Sequence, residues 1–363
     1  MTDSSIQHLQ LEEFHKARGA RFVPFAGWHM PVQYSSIIQE HMTVRKRAGL
    51  FDVSHMGEVR VAGKDALRYL NHLLTNAFDS LQAGRSRYAL MCYPDGGVVD
   101  DLIVYRLEGN EYLVCVNASN RMKDVAWMQE HASGFEVEVE DQSDRWGLLA
   151  LQGPDSEGFL QGIVHAPLTG LKRFAHLRAS LAGVECLISR TGYTGGDGFE
   201  IYFDVSSGLD VICAIDARAE VLTIPDFYCG LGCRDSLRLE AGLPLYGHEI
   251  SESIDPITAG LEWAVKLGKA NGFIGSDALA KRKAAGLSDR VIFYTLDDRR
   301  IAREGDKVFR GDQEVGRVLA GSYSPVSGKA IGSALVGVDA VRSGSLQVNL
   351  RGNSVRLVPN SLL

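Results

Sequence analysis

Nowhere does this sequence hold the run of about twenty apolar residues that a membrane-spanning helix needs. Its opening, MTDSSIQHLQLEEFH, has neither the apolar core of a secretory signal nor the Arg-rich character of an organelle leader. The expectation is a cytoplasmic protein. An excess of basic charge is also missing: the formal net charge of −7 argues against bulk nucleic-acid binding. The six cysteines, at 92, 115, 186, 213, 229 and 233, form no CxxC pair, and reduced thiols suit the cytosol. Cys229 and Cys233 are spaced to share a helix face, but no second ligand pair accompanies them, so no metal is expected. There is no GxGxxG after a first strand, no phosphate loop ending in GK[ST], and no GxSxG elbow. Ser54 and His55 adjoin, yet nothing supplies a third partner, and His55 is expected to pack or hydrogen-bond. Repeats of solenoid period and low-complexity tracts are absent too.

What is there is an ordinary soluble composition, 45% hydrophobic and 23% charged over 363 residues, enough for two or three domains with sizeable cores. Helices are expected over 6–18 and 35–48, with the Pro-, Gly- and aromatic-rich FVPFAGWHMPVQY between them as a structured loop. From residue 57 the pattern becomes strand (GEVRVAG), helix (ALRYLNHLLT) and a three-strand meander: RYALMCY, VVDDLIVYRL and EYLVCVN. A helix over 120–132 and a further α+β stretch from 146 to about 275 follow. After 290, short strands broken by Gly, Asp and Ser suggest a small antiparallel barrel or sandwich, with KRKAAGLSDR as linker. The basic runs Arg45–Arg47 and Lys281–Lys283 read as solvated helix ends, or as docking points for an acidic partner. Cys115, Cys186 and Cys213 lie in apolar contexts where thiols are commonly buried.

Three stretches could carry chemistry. In GGVVDDLIVYR, Asp100 and Asp101 sit side by side on a central strand, so their carboxylates point to opposite faces. Strand parity alone does not say which acid faces a site. In SRTGYTGGDGFEIYF, residues 189–203, the glycines precede a strand rather than a helix. They suit a tight turn or a close backbone approach to a flat ligand. In CGLGCRDSLRLEAGLPLYG, Arg234 and Arg238 share a helix face, where Asp235 and Glu240 could pair with them or with other groups.

These blocks, with FAGWHMPVQY, GLFDVSHMGEVRV, GHEI, GLEWAVKLGK, RIAREGDKV and GSYSPVSGKAIGSALV, resemble the glycine cleavage T-protein family, in order, from about residue 10 to about 350. The resemblance implies an α+β fold of three domains around a central cavity. Two would be mixed α/β, ferredoxin-like or Greek-key, and the last a small jelly-roll-like β-barrel. The domains would be 1–50 with 145–280 for folate binding, 51–144 carrying the Asp101 strand, and 288–363 for the barrel. It implies an aminomethyltransferase that moves a methylene group from the aminomethylated lipoyl arm of an H protein to tetrahydrofolate, releasing ammonia. No metal and no enzyme nucleophile is needed, because both ends of the transfer are cofactors. By the same resemblance Asp101 is the catalytic acid, stabilising an iminium-like charge and handling a folate proton. Tyr88, Asn117, Tyr193, Glu200 and Arg234 would bind folate, with Glu200 on the donor edge of the pterin.

Two departures stand out. Gly196 occupies a position where the family usually has an acid, and the tail RLVPNSLL is short. A monomer or weak dimer is expected. The alternatives are a tetrahydrofolate-dependent demethylase sharing the fold, and a folate-binding scaffold without transfer activity.

Overall fold

The computed structural model describes residues 6–360, and its chain divides into two compact units. The first comprises Met1–Ala66, Leu81–Arg87 and Ile103–Asp235; the second comprises Leu67–Ser80, Tyr88–Leu102 and Ser236–Leu363. Residues 361–363 of the short tail lie outside the described residues. Among those described, no helix is long and apolar enough to cross a membrane.

The first unit opens with a correction. FVPFAGWHMPVQY is a β-hairpin, Arg21–Phe25 against Trp28–Gln33, and the short strand Gln7–His8 joins it in parallel. Ala26 and Gly27, with φ of 51° and 81°, make the two-residue turn of left-handed residues that suits strand twist. The prolines misled because they suggest a break. Pro24 sits on an edge strand, and Pro31 lies past the two residues that Gln7–His8 pairs, so neither removes a needed ladder donor. Pairing of Gln7–His8 also delays the expected first helix to Glu12–Ala17. The helix Ile37–Lys46 starts as expected, with the Ser36 side chain accepting from the Gln39 N–H.

An antiparallel five-stranded sheet follows, in the order His176–Leu181, Val184–Ser189, Gly198–Asp204, Trp146–Gln152, Gly49–Asp52. Leu149, Leu151, Phe199, Ile201 and Phe203 from these strands pack against Val211, Ile212 and Ile215 of the helix Gly208–Leu222. Because those positions take the core side of that helix, Cys213 is exposed rather than buried. Cys115 and Cys186 are buried as expected. A second five-stranded sheet runs Arg85–Cys92, Val98–Arg106, Glu111–Val116, Gly57–Ala62, Glu138–Asp141. Its first three strands are the expected meander, and Val98–Arg106 has a neighbour on each side. The strands Arg85–Cys92 and Val98–Arg106 each belong partly to one unit and partly to the other.

In the second unit, six strands close a barrel in the order Asp289–Leu296, Lys329–Gly337, Gln313–Ser324, Lys307–Arg310, Leu346–Leu350, Asn353–Pro359. Alternating inward residues such as Ile292, Tyr294, Val318, Ala334, Val348 and Leu357 fill it. The expected linker KRKAAGLSDR is for its first half the end of the helix Ser276–Ala285. Arg238 ion-pairs with Glu249; both partners are buried, 2.7 Å apart. Ser333 of the barrel donates to the other oxygen of Glu249, and Glu240 accepts from Ser324.

Candidate functional site

Glu200 lies on the strand Gly198–Asp204, directly across from Ser189 on one side and Ala150 on the other. Two hydroxyls donate to its Oε2: Tyr105 at 3.1 Å, and Thr191 through a short bond. Tyr202 in turn donates to the Tyr105 oxygen at 3.0 Å. Burial, then the nearby Glu200 charge, pushes the Tyr105 phenol well above its ordinary value, so it remains a donor. The other oxygen of Glu200, Oε1, receives no hydrogen bond among the described residues. A half-buried carboxylate is therefore held on one side and presented on the other.

The loop before this strand has its own internal filling. Gln152 donates to the Thr191 carbonyl at 3.1 Å and accepts from the Thr194 hydroxyl at 3.1 Å. A β-carbon on Gly192 or Gly198 would sit 1.9 or 2.6 Å from the Gln152 side chain, so the close backbone approach here is to Gln152. Arg45 donates to the Thr194 carbonyl at 2.6 Å, and Arg47 ion-pairs with Asp155 at 2.6 Å. Both arginines of the first basic run are thus engaged within the unit.

Arg234 and Tyr193 meet: the guanidinium carbon lies 4.8 Å from the Tyr193 ring centroid. Desolvation lowers the Arg234 pKa from its ordinary value, while Tyr193 and Glu200 push the other way. His55 is buried, edge-on to Phe25 at 5.9 Å, with its Nδ1 unpartnered among the described residues. Burial, reinforced by the Arg234 charge, pushes it down to about 3, so the imidazole is neutral at physiological pH. Asn117 is partly buried in the turn leading to the helix Arg121–Glu130, its carbonyl accepting from the Asn120 N–H at 2.9 Å. Cys229 precedes the helix Leu231–Glu240, yet its thiol meets that of Cys233; burial raises both thiols above their ordinary range.

The remaining two expected residues belong to the second unit. Asp101 is partly exposed, and the Tyr88 hydroxyl donates to its Oδ2 at 3.0 Å. Tyr88 also stacks on Trp263, 5.3 Å between centroids, and Trp263 is 58% exposed. Asp100, pointing the other way on the strand, is fully buried.

The structure thus brings together Tyr88 with Asp101 and Tyr193 with Arg234. The sequence reading missed Tyr105, Thr191 and Tyr202 behind Glu200, and Trp263 against Tyr88. Tyr105 had a signal, since it shares strand parity with Asp101, and Thr191 stands inside the SRTGYTG stretch.

Residues 11–269 match the model of the GCVT N-terminal domain, and residues 289–360 match that of the glycine cleavage T-protein C-terminal barrel domain. The chain belongs to the glycine cleavage T-protein family. An aminomethyltransferase of Bacillus subtilis is 44% identical over 97% of each chain. One from Moorella thermoacetica is 48% identical over 95% of this chain and 94% of its own. The crystal structure of the glycine cleavage system aminomethyltransferase T from Bartonella henselae superposes with a TM-score of 0.90 at 33% identity, covering 99% of this chain and 98% of that one. With that family comes an enzyme class: the chain is a transferase of the aminomethyltransferase type.

Proposed function

We propose that the chain transfers the methylene carbon of an aminomethylated dihydrolipoyl arm, carried by an H protein, to tetrahydrofolate. Ammonia, 5,10-methylenetetrahydrofolate and the dihydrolipoyl H protein are the products. The observation that carries the folate half of this reading is the one-sided holding of Glu200. Tyr105 and Thr191 fix Oε2, so Oε1 is available to accept from the paired donors of a pterin edge. Arg234 offsets that charge from its place over the Tyr193 ring, and Asn117 adds a polar side chain in the same unit.

Asp101 supplies the chemistry of the chain itself. Its carboxylate, oriented by the Tyr88 hydroxyl, stabilises the positive charge that develops on the carbon as ammonia departs, and accepts the proton lost from the folate nitrogen. The exposed ring of Trp263 stacked on Tyr88 offers a flat apolar surface beside that acid. Tetrahydrofolate provides the accepting nitrogen and the lipoyl arm provides the carbon; neither role falls to a side chain of this protein. The six cysteines, scattered along the sequence with no paired spacing, support a reducing, cytosolic setting.

Asp101→Asn is expected to bind tetrahydrofolate as the wild type does and to lose 10²-fold or more in turnover, on the order of one general acid–base contribution. Turnover is read as ammonia release that depends on aminomethylated H protein. Undiminished turnover in this variant would remove Asp101 from the mechanism. Methyl transfer from a small amine or sulfonium, with no ammonia from the aminomethylated H protein, would assign the chain to the demethylases instead.

A further inference from the structure

We propose that His8, Glu12 and His29 form a binding site for a divalent transition metal of the zinc type, apart from the residues assigned to transfer. Their donor atoms, one from each side chain, all lie within 4.8 Å of one another. The convergence is built by three elements. The parallel pairing of Gln7–His8 with Trp28–His29 places His8 opposite His29, so their side chains leave the same face of the ladder. The rings come to 5.4 Å between centroids, edge to face. Phe22 stacks on His29 at 4.6 Å and fixes its plane. The first turn of the helix Glu12–Ala17 then brings the Glu12 carboxylate between the two rings.

Both histidines present Nδ1 to that carboxylate: His8 at 2.6 Å from Oε2, His29 at 3.2 Å from Oε1. Glu12 is only 5% exposed. The site therefore holds a buried carboxyl group with two imidazole nitrogens aimed at it. Two neutral imidazoles and one carboxylate are the donor set that suits zinc and its neighbours, at about 2.0–2.2 Å per bond with water completing the shell. The ligand edges of such a shell are about 3.4 Å by that bond length, so the widest separation, at most 4.8 Å, needs to close by little more than an ångström while the 2.6 Å His8–Glu12 contact opens slightly. His8, whose side chain is 56% exposed, has the freedom to do so.

One group opposes the cation. Lys16 places its ammonium 2.7 Å from Glu12 Oε1, where it neutralises the carboxylate and repels a metal. In binding, each imidazole stays neutral, offering an unprotonated Nδ1 to the metal with its one proton on Nε2, and the metal displaces or shares this ammonium.

The test uses tag-free full-length protein stripped with a chelator, then titrated with Zn²⁺ calorimetrically and with Co²⁺ by its visible absorption. One Zn²⁺ per chain is expected, with a thermal transition that rises on saturation. His8→Ala and His29→Ala are each expected to weaken binding tenfold or more, with unchanged circular dichroism. Lys16→Met is expected to tighten it, a response that a purely structural cluster of ion pairs would not give. Absence of binding below millimolar Zn²⁺, or binding that both histidine variants leave unaltered, would overturn the proposal.

Discussion

Tyr105 aims its hydroxyl hydrogen at Glu200 Oε2 and takes one from Tyr202, so a single oxygen atom links a buried pair to the candidate folate acid. Tyr105→Phe removes the donor to Glu200 and leaves the Tyr202 hydroxyl without its acceptor. A loss of about 1–3 kcal/mol in unfolding free energy is expected, together with tetrahydrofolate binding weakened about fivefold, as loss of one ~1 kcal/mol hydrogen bond implies. Urea unfolding and a fluorescence titration measure the two, and unchanged folate binding would show that Glu200 orients without Tyr105. His55 gives a pH prediction. Its folded pKa of about 3 lies below its ordinary value, so between the two the unfolded chain binds the extra proton. Stability is therefore greatest above pH ~6.5 and falls by up to about 1.4 kcal/mol per unit as pH drops toward 3. His55→Gln should flatten that slope in unfolding curves taken from pH 7 to pH 4, and an identical slope would exclude His55 as the titrating group.

Elements show where spacing informs and where it misleads. The strands of the meander and barrel were legible because their alternation matches one buried face. The hairpin Arg21–Phe25 with Trp28–Gln33 was not: two prolines mimic a loop when the partner strands that would exclude them are out of sight. The glycine loop adds a prediction. At Gly196 a β-carbon would stand 3.8 Å from Arg45 Nη1 with nothing closer than 3.6 Å, so an acidic side chain fits there and finds a cation. Gly196→Asp is expected to stabilise by about 0.2–1 kcal/mol, as exposed ion pairs do, lost in high salt; a fall in melting temperature would contradict it. The helix Leu231–Glu240 supports the opposite change. Arg238→Met leaves the Glu249 charge buried without its cation and should cost about 3–5 kcal/mol, measured by chemical denaturation. Adding Glu249→Gln should recover part of that loss.

The molecule as a whole carries its own expectations. We propose 1–50 with 145–280, 51–144, and 288–363 as the folding domains of the chain. Residues 288–363, with six strands closed into a barrel and a core of their own, should fold alone and show dispersed amide resonances and a cooperative melt. A collapsed spectrum would show that the barrel needs the rest of its unit. The sequence by itself determined the family, the strands and most helices, and the residue types available for folate and proton chemistry, because those depend on local periodicity and on motifs read in order. Tertiary structure alone decided which face Asp101 takes, that Arg238 turns to Glu249, that Cys213 faces outward, and that hydroxyls from separate strands converge on one oxygen of Glu200. The physical reason is distance along the chain: Tyr105 and Glu200 are 95 residues apart, and no local pattern encodes a hydrogen bond that only the packing of two sheets can close.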